Sequence, residues 1–367
     1  MLKQYKLKDY KFRLVIWVTA LSILGIMIIG SAQKSVQMKQ TIGLVIGLIL
    51  MVIVSLMDYS WIQNFYWIIY ILGIAMLISV SFIGTEVNGA KRWIDVGFTR
   101  FQPSDVMKII LIIFFAKLFS KYEEKINSVK IIFLSLLCIA VPAVLIKIQP
   151  DLSTTIVVIL VFCAMIFIAG LSYKIIGGII IVCIPIAVIF LSIITQPNQT
   201  LLEDYQKNRI MAWLNPTEYA EEAYQQKNSI IAIGSGQLYG KGLNNNIVSS
   251  VKNGNFIAEP QTDFIFAVAG EELGFLGCCI IVILELLIAL ECIRIGKKAR
   301  EPSGSLICCG MAALIFFQSF MNICVATGLF PNTGLTLPFV SHGLTSLVSF
   351  FIGIGIVLNI GLQERKY

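Results

Sequence analysis

Charged residues and histidine are scarce in this sequence. Asp, Glu, Lys and Arg make up 13% of its 367 residues, there is one histidine, and 57% of the residues are hydrophobic. A soluble globular domain contains about 25% charged residues. Because a soluble fold has nowhere to bury so much apolar surface and a lipid bilayer does, the composition excludes an ordinary soluble domain.

Disulfide and metal-ligand spacings are also missing. The nine cysteines lie within or at the edge of apolar runs, which is typical of small side chains that pack between helices. With one histidine, these spacings assemble no zinc-type ligand set. The net charge of +7 indicates membrane topology rather than nucleic-acid binding, because basic residues mark the cytoplasmic ends of spanning helices.

Apolar runs long enough to cross a bilayer recur along the whole chain. A spanning helix needs roughly 20 such residues to cross about 30 Å of hydrocarbon. The sequence therefore predicts an all-α polytopic membrane protein, one integral domain over residues 1–367, in which an uncleaved N-terminal segment forms the first span. About ten spans are predicted, near 14–31, 42–58, 65–83, 104–120, 131–148, 153–170, 174–195, 264–292, 305–328 and 337–361.

Basic clusters predict that both termini are cytoplasmic. With an even number of spans, four clusters fall on the cytoplasmic side under the positive-inside rule. They are Lys3, Lys6, Lys8, Lys11 and Arg13; Lys121, Lys125 and Lys130; Arg294, Lys297, Lys298 and Arg300; and Arg365 with Lys366.

Two segments on the opposite side stand out. Loop 84–103 breaks the charge pattern with Lys91, Arg92 and Arg100, so it is either a candidate anion-binding site or a loop with tolerated charges. Segment 196–262, between spans seven and eight, is a long extracytoplasmic loop, and loops of this length are usually functional. A short surface helix near 218–232 is predicted there, ending at a Gly-rich turn that lacks the Walker signature.

Ionisable residues at the membrane edge are costly, so each is a functional candidate. Asp263 lies where a polar segment meets an apolar one. It is either a helix cap or a general base at the mouth of an outer cavity. Glu271 and Glu272 lie two helical turns deeper, where one is expected to line a cavity and the other to pack against a neighbouring helix.

Further polar residues begin or punctuate spans. Asp105 and Lys108, three residues apart, predict an ion pair on one helix face, which serves either structure or phosphate binding. Pro103 suits a first helical turn, and Ser104 is the expected cap. The polar break at Gln149, Pro150 and Asp151 is expected to cap the next span, and His342 is interpreted as a polar loop side chain rather than an acid or base.

Six runs, in order over nearly the whole chain, carry a resemblance to a known family. They are NGAKRWIDVGFTRFQPSDVMK (88–108), QPDLSTT (149–155), NRIMAWLNP (208–216), NSIIAIGSGQLYGKGL (228–243), EPQTDFIFAVAGEELGFLG (259–277) and NICVATGLFPNTGLTLPFVSHG (322–343). Together they resemble the SEDS proteins (shape, elongation, division and sporulation), the RodA/FtsW/SpoVE group, and look most like RodA.

The resemblance implies a multi-pass enzyme of the bacterial cytoplasmic membrane. It would polymerise lipid II into peptidoglycan on the outer face, for elongation and cell shape, with a class B penicillin-binding transpeptidase and the elongation or division machinery as partners. By the TDFIF match the catalytic aspartate falls on Asp263. The candidate substrate-binding residues are Lys108, Asp105, Arg92, Trp93, Arg209, Gln102 and Glu271.

Two alternatives to this function stay open. The source of the positive charge that would stabilise the diphosphate leaving group of lipid II also stays open. The alternatives are a lipid II flippase or transporter and a non-catalytic scaffold for a transpeptidase. Lys108, Arg92, Arg209 or a divalent cation (Mg²⁺ or Mn²⁺) would supply the charge, although the sequence contains no dedicated metal cage.

Overall fold

The computed structural model describes residues 9–87, 90–97, 99–175, 177–178, 181, 185, 204–244, 250, 254 and 256–364. These residues are mainly helical. The helices are α1 (Phe12–Ala32), α2 (Lys34–Leu56), α3 (Tyr59–Asn64), α4 (Tyr66–Ile83), α5 (Pro103–Lys121), α6 (Val129–Ile148), α7 (Leu152–Ile168), α8 (Asp204–Leu214), α9 (Ala220–Ser235), α10 (Ile265–Lys297), α11 (Pro302–Ala326) and α12 (Leu344–Leu362), with a 3₁₀ turn at Glu123–Lys125.

The predicted spans match the helices. Helices α1, α2, α4–α7 and α10–α12 lie on nine of the ten. Most residues of the remaining one, 174–195, lie outside the described residues. Among the described residues, seven helices are long and apolar enough to cross a membrane, and α7 is a shorter apolar helix. The last span begins seven residues later than predicted, because the segment with Pro338 and Gly343 forms a loop before α12 starts at Leu344.

Helix α5 is the centre of the bundle. It packs against α4, α7, α11 and α12, and almost every side chain from Pro103 to Phe119 is buried. It carries Asp105, Lys108, Lys117 and Lys121, and it is not among the seven helices that qualify by length and composition. Since protein rather than lipid surrounds α5, a buried lysine can be paired there instead of facing hydrocarbon.

A small antiparallel sheet, which the sequence did not predict, lies in the 84–103 loop. Its strands are β1 (Thr85–Val87), β2 (Ala90–Asp95) and β3 (Arg100–Phe101), in the order β1-β2-β3. The sheet joins the end of α4 to the start of α5 and also contacts α12. It therefore gives the basic residues of this loop a fixed framework.

Helix α10 is two helices joined at a kink. Gly274 has φ 67° and ψ −165°, a backbone conformation that is essentially restricted to glycine. A continuous helix would pair the N–H groups of Phe275 and Leu276 with the carbonyls of Glu271 and Glu272. At the kink these four groups need other partners, because unpaired backbone groups within a membrane are costly.

The Gly-rich turn (residues 236–242), which follows α9, supplies those partners. The kink donates two hydrogen bonds to the turn, from Phe275 N to Gln237 O at 2.8 Å and from Leu276 N to Leu238 O at 3.2 Å. The turn donates two in return, from Lys241 N to Glu271 O and from Gly242 N to Glu272 O, both at 2.9 Å. The two backbones touch: a Cβ added at Gly240 would lie 2.2 Å from Glu272 O. The tight turn predicted from the glycines is confirmed, and its role is to complete α10.

The surface helix predicted near 218–232 is confirmed as α9 (Ala220–Ser235). It packs mainly against α10, with a smaller contact on α11. Gln226 Nε2 donates to Val325 O at 2.8 Å, and Ser229 Oγ donates to Ala326 O at 2.7 Å. The described part of the long loop is thus built onto the outer ends of α10 and α11.

Candidate active site

Asp263 lies in the turn immediately before α10. Phe264 is the N-cap of α10 and no side chain caps this helix, so the alternative of Asp263 as a helix cap is wrong. The backbone of Gly334, at φ +70°, lies against the carboxylate, since a Cβ added there would be 3.3 Å from Asp263 Oδ2. Gly334 belongs to the loop between α11 and α12 (residues 327–343), so this loop covers one side of the carboxylate.

The environment of Asp263 makes it a stronger base than an ordinary carboxylate. Part of its side-chain surface is accessible to solvent. The surrounding protein nevertheless desolvates the carboxylate, and this raises its pKa to about 6. The charges of Arg209 and Arg92 act against this rise, and those of Glu259 and Asp151 add to it. A base with a pKa of this kind is ionised at neutral pH and accepts a proton more readily than an exposed aspartate.

Arg92 on β2 is fixed by the polar break between α6 and α7. Its Nε donates to Gln149 O at 3.1 Å, a second nitrogen donates to Pro150 O, and the third lies 3.9 Å from Asp151 Oδ1. Asp151 is the N-cap of α7, as predicted, and accepts from Thr154 N at 3.1 Å. The basic loop and the 149–151 break therefore form one unit.

Gln102 joins the same unit. Its Nε2 donates to Asp151 Oδ2 at 3.3 Å and to Ser104 Oγ at 3.0 Å. Gln102 is the N-cap residue of α5 and Pro103 is in the first turn, as expected. The prediction that Ser104 caps α5 is wrong, because the helix begins one residue before it.

The predicted ion pair of Lys108 and Asp105 is confirmed, with 2.8 Å between Lys108 Nζ and Asp105 Oδ1. Lys108 is 4% exposed, its Nζ also donates to Gln318 Oε1 at 2.9 Å, and it lies 5.7 Å from the centre of the Phe350 ring. The lysine is thus held inside the bundle. Its contact with the 327–343 loop runs through Gln318.

The two glutamates beyond Asp263 are both buried and bind different elements. Glu271 Oε1 lies 2.8 Å from Lys241 Nζ in the Gly-rich turn. Glu272 accepts a hydrogen bond from Ser31 of α1, which agrees with the expectation that one of them packs against a neighbouring helix. Glu271 therefore stabilises the half-helix that Asp263 precedes.

The other sequence candidates lie on elements around this site. Arg209 is on α8, within electrostatic range of Asp263. Trp93 is on β2 opposite Thr85, whose hydroxyl donates to Trp93 O at 3.2 Å. His342 Nδ1 lies 3.0 Å from Gln40 Oε1, and burial lowers the pKa of His342. These contacts favour a structural role for His342.

Sequence reasoning missed the amides of α11. Gln318 and Asn322 are fully buried and contact Lys108, Asp263 and the 327–343 loop. The available signal was two amides four residues apart inside an apolar span, which is costly unless both are hydrogen-bonded.

The comparison with protein families decides the family. A model described as cell cycle protein, for FtsW, RodA and SpoVE, matches residues 8–366. The chain belongs to the FtsW/RodA/SpoVE family. The RodA/FtsW/SpoVE resemblance carried by the six sequence runs is thereby confirmed.

Curated relatives of the family are similar over most of their length. The peptidoglycan glycosyltransferase MrdB of Escherichia coli K12 is 33% identical over 353 residues, which cover 94% of this chain and 92% of the relative. FtsW of Haemophilus influenzae, named a probable peptidoglycan glycosyltransferase, is 33% identical over 304 residues, which cover 82% and 74%.

Solved structures share the FtsW/RodA/SpoVE fold. One is a chain from a peptidoglycan synthase complex that coordinates polymerization with crosslinking. It has a TM-score of 0.81 and 26% identity, and the match covers 96% of this chain and 97% of that one. The other is the rod shape determining protein RodA of Thermus thermophilus, with a TM-score of 0.71, 25% identity and 98% coverage of each chain. Together with the apolar helices, these matches establish a multi-pass membrane protein.

Proposed function

We propose that this protein is a peptidoglycan glycosyltransferase that polymerises lipid II on the outer face of the cytoplasmic membrane. Family membership and the glycosyltransferases among its relatives support the activity. The observation that carries the site is Asp263, a carboxylate whose burial raises its pKa to about 6 within range of two guanidinium groups.

In the proposed reaction Asp263 is the general base. Its carboxylate takes the proton from the 4-hydroxyl of the acceptor sugar as that oxygen attacks the anomeric carbon of the donor. The bond from this carbon to the diphosphate oxygen breaks, and the diphosphate leaves with the electron pair. A single displacement at an α-linked diphosphate gives a β-glycosidic bond, and base catalysis of this kind contributes about 10²–10⁴-fold.

The departing diphosphate gains negative charge, which fixed positive groups stabilise. Arg92 on β2 and Arg209 on α8 are close enough to Asp263 for their charges to lower its pKa. Lys108 is held deeper, by Asp105 and Gln318. These three side chains are the candidate sources of the positive charge within the chain, and a divalent cation held with the diphosphate would supply the same stabilisation.

We also propose that the protein works with a transpeptidase of the class B penicillin-binding type. The similar chain in a complex that couples polymerization to crosslinking supports such an assembly. The similarity to a rod shape determining protein supports a role in elongation and cell shape.

A polymerisation assay tests the function directly. Purified protein with its transpeptidase partner, given lipid II with and without Mg²⁺ or Mn²⁺, is expected to yield glycan polymer on a gel. A flippase would instead move lipid II across vesicle membranes without forming polymer. A scaffold would form no polymer, and cells carrying Asp263→Ala would then grow as the wild type does.

The raised pKa of Asp263 predicts an acid limit for activity. The pKa is moved upward, from 3.8 to about 6, so the carboxylate becomes protonated and loses base function as the pH falls through about 6. We expect kcat/KM to fall tenfold per pH unit below that midpoint and to level off above it, since kcat/KM reports groups of the free enzyme. A midpoint near the ordinary aspartate value of about 4 would contradict this environment for Asp263.

A further inference from the structure

Two amide side chains of α11 contact both halves of the candidate site. Gln318 is 0% and Asn322 1% exposed, and their four-residue spacing places them one turn apart on the same face of the helix. Both reach a short segment of the 327–343 loop, residues 334–336. Hydrogen bonds made by fully buried amides hold the segments that they join in one arrangement.

Asn322 joins the turn that carries the catalytic carboxylate to this loop segment. Its Nδ2 donates to the main-chain carbonyl of Asp263 at 2.9 Å and to that of Leu335 at 2.5 Å. Its Oδ1 is buried and has no hydrogen-bond partner within the part of the chain that the structure describes. If the amide were flipped so that its oxygen and nitrogen changed places, both donor bonds would be lost. The two carbonyls therefore define the orientation of the amide. The neighbouring Gly334 lies directly against the Asp263 carboxylate.

Gln318 makes the matching connection to the buried lysine. Its Oε1 accepts from Lys108 Nζ at 2.9 Å. Its Nε2 donates to Thr336 O at 2.9 Å and to Thr336 Oγ1 at 3.2 Å. The Gln318 amide therefore accepts a hydrogen bond from α5 and donates hydrogen bonds to the loop.

We propose that Gln318 and Asn322 are positioning residues that hold segment 334–336 over Asp263 and fix its place relative to Lys108. The proposal rests on the polymerase function and deepens it, because neither amide is assigned a bond to substrate. Loss of either amide would free the segment from α11. More water would then reach the Asp263 carboxylate, and its pKa would fall toward the ordinary value.

The test uses Asn322→Leu and Gln318→Leu, which keep approximate volume and remove the hydrogen bonds. Each is expected to lower kcat for lipid II polymerisation about 10–100-fold, because small misplacements of a reacting group have effects of this size. KM should change less than about threefold, and the acid midpoint should move to lower pH than in the wild type. The double variant should lose little more than either single one, because both amides hold the same segment.

Gln318→Glu separates the two contacts of that amide. An ionised carboxylate still accepts from Lys108 but has no donor for the main-chain carbonyl of Thr336, which loses its bond to α11. If holding the loop is what matters, Gln318→Glu is expected to be as impaired as Gln318→Leu. Wild-type kcat in Gln318→Glu would overturn the loop-holding role. The control is Ser319→Ala on the same helix, where the lost hydroxyl donates to Ile315 O within α11 and lies beside Glu285 of α10, not against the loop.

Hydrogen exchange gives a readout that does not depend on catalysis. Exchange over residues 333–337 is expected to be faster in both leucine variants than in Ser319→Ala, at similar melting temperatures. If exchange, kcat and the acid midpoint all match Ser319→Ala, the positioning role is overturned. If the wild type forms no polymer at all, the polymerase function fails, and faster exchange in the leucine variants still supports the loop-holding role.

Discussion

Asp263→Asn is expected to lower kcat for lipid II polymerisation by about 10²–10⁴-fold, the usual contribution of a general base. Asparagine has nearly the same shape, so Gly334 can still lie against the side chain, and Asn322 can still bond the main-chain carbonyl of residue 263. Only the proton acceptor is removed. The measurement is the initial rate of polymer formation by purified protein with its partner, together with binding of lipid II, which should change little.

The matched control for this change is Asp95→Asn. Asp95 is an exposed carboxylate on β2 that accepts from Gly97 N at 2.8 Å, and it lies outside the site described above. It should keep nearly full activity. If Asp263→Asn polymerises lipid II at a rate close to that of Asp95→Asn, then Asp263 is not the base.

The second large effect is on stability: Gly274→Ala is expected to lower the free energy of unfolding by about 2–4 kcal/mol. Two penalties coincide at this position. The φ of 67° with ψ −165° disfavours any residue with a Cβ. The added Cβ would also lie 2.3 Å from Gly240 N and 2.7 Å from Leu238 O, so the Gly-rich turn would have to leave the kink. A thermal shift in detergent measures the loss.

Two other glycines separate the penalties. Gly242 has φ +92° and no atom within 4 Å of an added Cβ, so Gly242→Ala isolates backbone strain, about 1–2 kcal/mol. Gly234 lies in α9 with no atom within 4 Å of an added Cβ and no positive φ. Gly234→Ala is therefore expected to be neutral or to stabilise by up to about 1 kcal/mol. If Gly274→Ala is no worse than Gly242→Ala, the close packing of turn and kink is not as described.

Local patterns in the sequence were sufficient to predict several features. The spacing of Asp105 and Lys108 predicted their ion pair, and the position of Asp151 at a polar break predicted a helix cap. Both depend on residues within one turn of each other. The apolar runs predicted the helices for the same reason, since hydropathy is a property of a single segment.

Features that join distant segments could not be predicted in this way. The sequence around Gly274 is typical of a helix interior, and only the turn at 236–242 explains why the helix breaks there. The sheet in the 84–103 loop has a strand of two residues, too short for a periodic signal. The partners of Lys108 include Gln318, 210 positions away, and no single segment contains that information.

The enclosure of α5 by protein has a consequence for biogenesis. The four charged residues of α5 leave it less apolar than its neighbours. Two of the helices that enclose it, α11 and α12, begin about 200 and about 240 residues later in the chain. Until they are inserted, Lys108 has Asp105 but not Gln318. The central helix of the bundle therefore obtains its final surroundings only when the last two helices are in place, as α2 does when α12 packs against it.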